Sequence, residues 1–178
     1  MIARKLELRR RYDETASFYD RRYEGIQCAK YRIVMKNLLD GKKRILDLGC
    51  GSGMFIGELS TRAKFVVGVD ASLEMLKVAK GRARGARLVQ ADADALPFAG
   101  GSFDAVVSVT LLQNMPDPAA TVREVARVLR PSGVAVLTVL KRKRSREELE
   151  RWVKQAGMKV VGSGEIEGSE DVFCVARA

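Results

Sequence analysis

Histidine is absent from this chain of 178 residues. Ser-His-Asp hydrolysis, Cys-His nucleophilic chemistry and metal centres built on imidazole are therefore excluded. Cysteine is scarce too: Cys28, Cys50 and Cys174 are odd in number, far apart and form no CxxC pair. Neither a disulfide framework nor a zinc ribbon is supported. No metal site is expected in this chain, and a reducing, cytoplasmic setting is expected. No stretch approaches the ~20 consecutive apolar residues that span a membrane. The N-terminus lacks the apolar core of a secretory signal, and acidic Glu7, Asp13 and Glu14 argue against a transit peptide. Asn and Gln are also few, whereas Lys, Arg and Glu are plentiful.

What is abundant is positive charge. The net charge is +10, with clusters at Arg9-Arg10-Arg11, Lys42-Lys43-Arg44 and Lys141-Arg142-Lys143-Arg144. One reading is attraction to a polyanion, RNA first. The other is a solvated surface of the kind common in heat-adapted proteins. The sequence leaves both open.

The length suits one domain with one sizeable core. Tyr12, Ala16, Tyr19 and Tyr23 share one helical face, and Gly25 is expected to break that helix. A second helix carries Tyr31, Val34, Met35 and Leu38 and closes at Asp40-Gly41. These form an N-terminal helical cap over residues 1–40. From there short apolar runs alternate with helical patterns. Strands are expected at 44–48, 65–69, 87–90, 103–109 and 134–140, with a helix at 54–63 and another from the cap Ser72 to about Arg82. Asp117-Pro118 is a helix start, with Asp as N-cap and Pro at the first helical position. Pro131-Ser132-Gly133 turns the chain into the fifth strand, and Ser145 with Glu148 forms a capping box. Two last strands, 159–161 and 172–176, are joined by the polar segment 162–171. The expected fold is α/β, a doubly wound seven-stranded, mostly parallel sheet with an antiparallel C-terminal strand. Residues 42–140 form its core and 145–178 a C-terminal helix and hairpin. Ligands of such sheets bind at the carboxyl ends of the strands, near the switch point.

Three strand ends carry the chemistry. The first is Asp47-Leu48-Gly49-Cys50-Gly51-Ser52-Gly53, a buried strand opening into alternating glycines. Glycine there lets the backbone turn with positive φ and approach a ligand closely. The second is Asp70, 17 residues beyond Gly53, a carboxylate suited to two ribose hydroxyls. The third is Gln90-Ala91-Asp92-Ala93, where Asp92 can accept from an adenine amino group and Asp94 competes for that role. Singly, these are a tight turn, a helix cap and a polar loop. On successive strand ends they can meet one extended nucleoside.

The arrangement resembles the class I S-adenosylmethionine-dependent methyltransferases, of the compact type-11-like group. The resemblance extends to Asp94-Ala95-Leu96-Pro97-Phe98, Ser102-Phe103-Asp104-Ala105-Val106-Val107-Ser108 and Leu129-Arg130-Pro131-Ser132-Gly133-Val134. It implies a Rossmann-like methyltransferase fold, S-adenosylmethionine as cofactor and methyl transfer as activity. It also implies roles: Gly49, Gly51 and the main chain around Cys50 at the methionine part, with Asp47 helping to hold its amino group and Gly53 also among the cofactor-binding residues. Asp70 would bind the ribose, Ala71 would pack beside the adenine, and Asp92 and Ala93 would read the adenine edge. Val109 would lie near the transferred methyl, and Tyr19, with Tyr23, would fold over the cofactor. Methyl transfer needs no histidine, because proximity and orientation can supply up to ~7–11 kcal/mol of the barrier.

Departures from the family pattern bear on the acceptor. Some members carry Asn-Pro-Pro-Tyr after the fourth strand and methylate planar nitrogens. Here the run is Val109-Thr110-Leu111-Leu112, and Asn114-Met115-Pro116 comes too late to replace it. No lid is inserted after the fifth strand, where only residues 141–144 intervene. An uncovered site suits a macromolecular substrate, RNA before protein, or a partner that completes the pocket. Several compact members work with a small zinc-ribbon activator protein, and a similar partner is expected here. Alternatives are a small-molecule methyltransferase, a non-catalytic cofactor-binding scaffold subunit, and an NAD-dependent oxidoreductase. The last lacks a clear GxGxxG and gives Asp92 no counterpart.

Overall fold

The computed structural model describes residues 2–16, 19–38, 44–83 and 85–178, with side chains described for 3–16, 27–38 and the two longer segments. The side chains of Tyr19 and Tyr23, and residues Asp40, Gly41, Lys42 and Lys43, lie outside the described ones. Seven strands form one sheet: β1 (Arg44–Leu48), β2 (Phe65–Asp70), β3 (Arg87–Gln90), β4 (Phe103–Ser108), β5 (Leu129–Leu140), β6 (Lys159–Glu165) and β7 (Asp171–Arg177). Their order is β3-β2-β1-β4-β5-β7-β6. The first five pair in parallel, whereas β7 runs antiparallel to both β5 and β6. The order reverses between β1 and β4, which sets the switch point at the end of the glycine-bearing strand.

Alternation along the strands sorts the core onto two faces. Leu46, Leu48, Val67, Val106, Leu137 and Cys174 point to one, where α5 (Pro118–Val128) contributes Val122 and Val125 and α6 (Arg146–Gln155) contributes Leu149 and Trp152. Ile45, Val66, Ala105, Val107 and Val136 point to the other, met by Val34 of α2 (Tyr19–Asn37), by Leu38 just beyond it, and by Ile56 and Leu59 of α3 (Ile56–Ser60). All three helix caps read from the sequence are present, and the Ser72 side chain accepts from the Met75 N–H. The Asp117 side chain accepts from the Ala120 N–H, and Ser145 and Glu148 bond reciprocally. Among the described residues no helix is long and apolar enough to cross a membrane.

Four expectations need correction. The helix α1 (Ile2–Thr15) ends before Tyr19, so Tyr12 and Tyr19 lie on different helices rather than on one face. Gly25 does not break a helix; α2 runs through it. A glycine in a helix interior costs only about 1 kcal/mol, less than burial of Val34 and Leu38 returns. The helix expected over 54–63 is shorter: α3 runs from the N-cap Phe55, whose ring stacks on Tyr31, to the C-cap Thr61. Finally, β6 continues to Glu165 through the polar stretch taken for a connection. As an edge strand with one wet face, it has no apolar run to betray it.

Candidate functional site

A cavity of about 530 Å³ opens at the carboxyl ends of β1 to β4, under α1. It adjoins a recess of about 30 Å³ beneath α2, and Gly49, Gly51 and Val109 line both. The glycine turn is shaped by its neighbour strand: Gly49 N–H and Cys50 N–H both donate to Val69 O, at 2.8 and 3.0 Å. Gly51 has φ +52°, and a Cβ built there meets nothing within 4 Å. Gly53 has φ +75°, and a Cβ there would stand 2.9 Å from Ala79 Cβ on α4 (Leu73–Lys80). The two glycines therefore do different jobs: Gly51 keeps the cavity wall bare, and Gly53 lets α4 pack against the turn.

These contacts predict a split. Gly51→Ala should cost about 1–2 kcal/mol of stability for its left-handed backbone and leave the protein folded, while its methyl intrudes on the ligand and lowers affinity tenfold or more. Gly53→Ala adds an overpacking cost of about 1–3 kcal/mol to the same strain. It should therefore show mainly as a lowered urea midpoint, and comparing unfolding with ligand titration separates the two.

Asp70 ends β2 with both carboxylate oxygens anchored. Gly51 N–H donates to Oδ2 and Ser72 N–H to Oδ1, each at 2.9 Å. Burial pushes its acid upward, against those N–H groups that favour the charged form. Fixed in this way, it presents remaining lone pairs to the cavity it lines. Ala71 and Ala93 line the same wall, as does Asp92. Lys5 of α1 donates to both Asp92 oxygens at 2.8 and 2.7 Å and stands 2.5 Å from Asp94 Oδ2. Partial burial raises the Asp92 acid, but the Lys5 ammonium and the Asp94 N–H outweigh that and hold it below the usual carboxylate range. Asp94, tied to Thr121 as well, does not line the cavity, whereas Asp92 does.

Asp47 and Cys50 face the small recess rather than the main cavity. Asp47 is buried, its Oδ2 accepts no hydrogen bond, and burial together with the charge of Asp70 raises its acid to about 7. Burial first, then the two carboxylates, raise the Cys50 thiol so far that no thiolate nucleophile forms there. Gly53 lines neither space.

Several residues at the site had no role in the sequence reading. Lys5, Leu8, Arg9 and Tyr12 of α1 line the main cavity. Their i, i+3, i+4, i+7 spacing puts them on one helical face, but Lys5 and Arg9 break the apolar pattern by which such a face is read. On the same helix Asp13 accepts from Ser72 Oγ at 2.5 Å, and Tyr12 Oη accepts from Asn114 Nδ2 at 2.9 Å. A second group gave no signal. Buried Lys30 of α2 stands 2.9 Å from Asp171 Oδ1 and donates to Thr110 Oγ1 at 2.8 Å. Thr110 Oγ1 and Thr138 Oγ1 both donate to Asp171 Oδ2, at 2.8 and 2.9 Å. Thr110 itself is left-handed, φ 59°, and lines the main cavity just past β4.

Residues 46–137 match the methyltransferase-domain family. An uncharacterized protein of Methanocaldococcus jannaschii is 35% identical over 137 residues, covering 76% of this chain and 52% of that protein. A demethylmenaquinone methyltransferase of Corynebacterium kroppenstedtii is 43% identical over 105 residues, 58% of this chain and 45% of the relative. The chain thus spans about half the length of these curated relatives. Among solved structures, the methyltransferase chain of a Haloferax volcanii complex with the Trm112 methyltransferase activator superposes with a TM-score of 0.84. It is 20% identical, and the match covers 94% of this chain and 97% of that one.

Proposed function

Since the chain belongs to the methyltransferase-domain family, we propose that it binds S-adenosylmethionine across the main cavity and its recess and transfers the methyl to an acceptor entering past β4. The observation that carries this is the convergence of three successive strand ends, with Gly51, Asp70 and Asp92 around one cavity. The residues fit the cofactor. Bare Gly51 admits it, Asp70 offers two anchored oxygens to a ribose, and the unpartnered Asp47 Oδ2 suits an ammonium. When bound, the cofactor supplies a methyl already activated on a sulfonium. The chain's own residues then have only to bind, orient and exclude water. Asp70 fixes the nucleoside, and the glycine turn and Asp47 hold the amino-acid end. Val109 and Thr110 wall the side from which the acceptor approaches. The helices α1 and α2 act as a cap of the same domain, with Tyr19 on the covering helix.

For the acceptor, RNA ranks first. The cavity mouth carries Lys5 and Arg9, the chain has a net charge of +10, and only residues 141–144 separate β5 from α6. A small activator protein completes the site; the Haloferax volcanii chain is solved with such a partner. A second reading, a small-molecule acceptor, is favoured by the basic run itself. Lys141 pairs with Glu165, Arg142 with Glu170 and Arg144 with Glu148, so much of its charge is already matched. It also accords with the name of the Corynebacterium relative.

The deciding experiment incubates the protein with methyl-labelled S-adenosylmethionine and fractionated cell extract. Label that is precipitable, lost on RNase treatment and resistant to protease supports RNA, with binding that weakens as salt rises. Label only in the organic-soluble fraction replaces RNA by a small acceptor. No transfer to any fraction, with activator-sized proteins present, overturns the activity.

A further inference from the structure

The helix α2 turns one face toward the site, carrying Gln27, Lys30 and Tyr31 at i, i+3 and i+4. Two of these are anchors. The Tyr31 ring stacks on Phe55 with centroids 4.1 Å apart and planes 5° from parallel. Lys30 reaches the buried Asp171–Thr110 pair and so ties α2 to the ends of β4 and β7. The third, Gln27, lies one turn before them and lines the recess with Asp47 and Cys50. Only 6% of Gln27 is exposed, yet its Oε1 accepts no hydrogen bond.

Asp47 Oδ2, on the same recess, is equally unpartnered. Buried acceptors are almost always satisfied, and two orphans lining one small space call for a single ligand group with several donors. An ammonium has three donors and no acceptor, so it can serve both oxygens at once. A neutral hydroxyl has one donor and can serve only one. The recess meets the main cavity at Gly49, Gly51 and Val109, so the donor group would be the far end of the molecule bound there.

We propose that Gln27, through Oε1, is the second acceptor beside Asp47 for the α-ammonium of S-adenosylmethionine, so that α2 selects the amino-acid-bearing cofactor over nucleosides that lack that part. This rests on the cofactor reading above and adds a specificity-determining residue outside the glycine turn. Lys30 and Tyr31, on the same helix face, anchor the helix that carries Gln27 through their contacts with Asp171, Thr110 and Phe55.

The test compares two neutral thioethers that share a nucleoside: S-adenosylhomocysteine, which has the amino-acid end, and 5′-methylthioadenosine, which does not. Both are titrated calorimetrically into the full chain and its Gln27→Leu and Gln27→Glu variants. The expected result for Gln27→Leu is a tenfold or greater loss of S-adenosylhomocysteine affinity with 5′-methylthioadenosine affinity unchanged within twofold. Gln27→Glu, which keeps an acceptor at the same reach, should restore S-adenosylhomocysteine binding to within threefold of the parent. An unchanged S-adenosylhomocysteine affinity in Gln27→Leu would overturn the proposal. So would equal loss of both ligands, which would make Gln27 a prop of the fold. Failure of Gln27→Glu to rescue would also overturn it, since the amide would then be donating. If the parent binds neither thioether, the cofactor reading itself fails and the proposal with it.

Discussion

Asp70→Ala is expected to weaken binding of S-adenosylmethionine, S-adenosylhomocysteine and 5′-methylthioadenosine alike, by at least about 100-fold. Hydrogen bonds to a charged group are worth about 1.5–3 kcal/mol each, and the loss of two ribose contacts gives about 3–6 kcal/mol. The carboxylate is aimed before any ligand arrives, by Gly51 N–H on one oxygen and Ser72 N–H on the other. Asp70→Asn keeps one acceptor and should fall between parent and alanine variant. Thermal melts accompany the titrations, because the alanine also releases the Gly51 N–H that shapes the turn. A variant that stays folded and binds within fivefold of the parent would remove Asp70 from the site.

Asp47→Asn is expected to stabilise the ligand-free protein at pH 8 and to leave it unchanged at pH 4. The folded-state acid is raised to about 7, by burial and by the charge of Asp70, from an ordinary value of 3.8. A raised acid contributes stability that is complete below the ordinary value and lost as pH climbs through the folded one. The gap from 3.8 to about 7 bounds the effect at about 4 kcal/mol. For a chain of this size that corresponds to a rise in Tm of at most about 8–16 °C. The same substitution should cost affinity for ligands that carry the ammonium. In the parent, S-adenosylhomocysteine affinity should rise about tenfold between pH 5.5 and 8, as Asp47 ionises to meet it. Asp70 faces Asp47 and also titrates high, and the neighbouring Cys50 thiol stays protonated throughout. The 5′-methylthioadenosine profile therefore serves as the reference, sharing Asp70 but not the ammonium. A parent profile parallel to that reference would remove Asp47 from the amino-acid end.

The sheet and the strand-end residues were readable because local chemistry and tertiary role coincide there. The runs at β1, β2 and β4 are apolar on both faces, as parallel strands covered by helices must be. Asp117, Ser145 and Ser72 cap helices by contacts within four residues. Asp70 stands at the end of an apolar run that the strand–helix alternation marks as a parallel strand. The N-terminal helices were harder to read, because what decides them is distant. Gly25 signals a break that α2 survives through packing of Val34 and Leu38. Lys5 acquires its role only on meeting Asp92, 87 residues on. Lys30 and Asp171 gave no warning at all. A lysine in a basic helix reads as solvated, and nothing local marks it as the partner of a carboxylate at the start of β7. Gln27 was silent for the same reason: an amide becomes informative only when burial leaves its oxygen unmatched.

The most direct test of the central claim is calorimetric titration of the chain with S-adenosylmethionine, with NAD in parallel. One molecule of S-adenosylmethionine per chain, bound at micromolar affinity, with no heat from NAD, is the predicted result. Preference for NAD, or no binding of S-adenosylmethionine either alone or after co-purification with cellular partners, would contradict it.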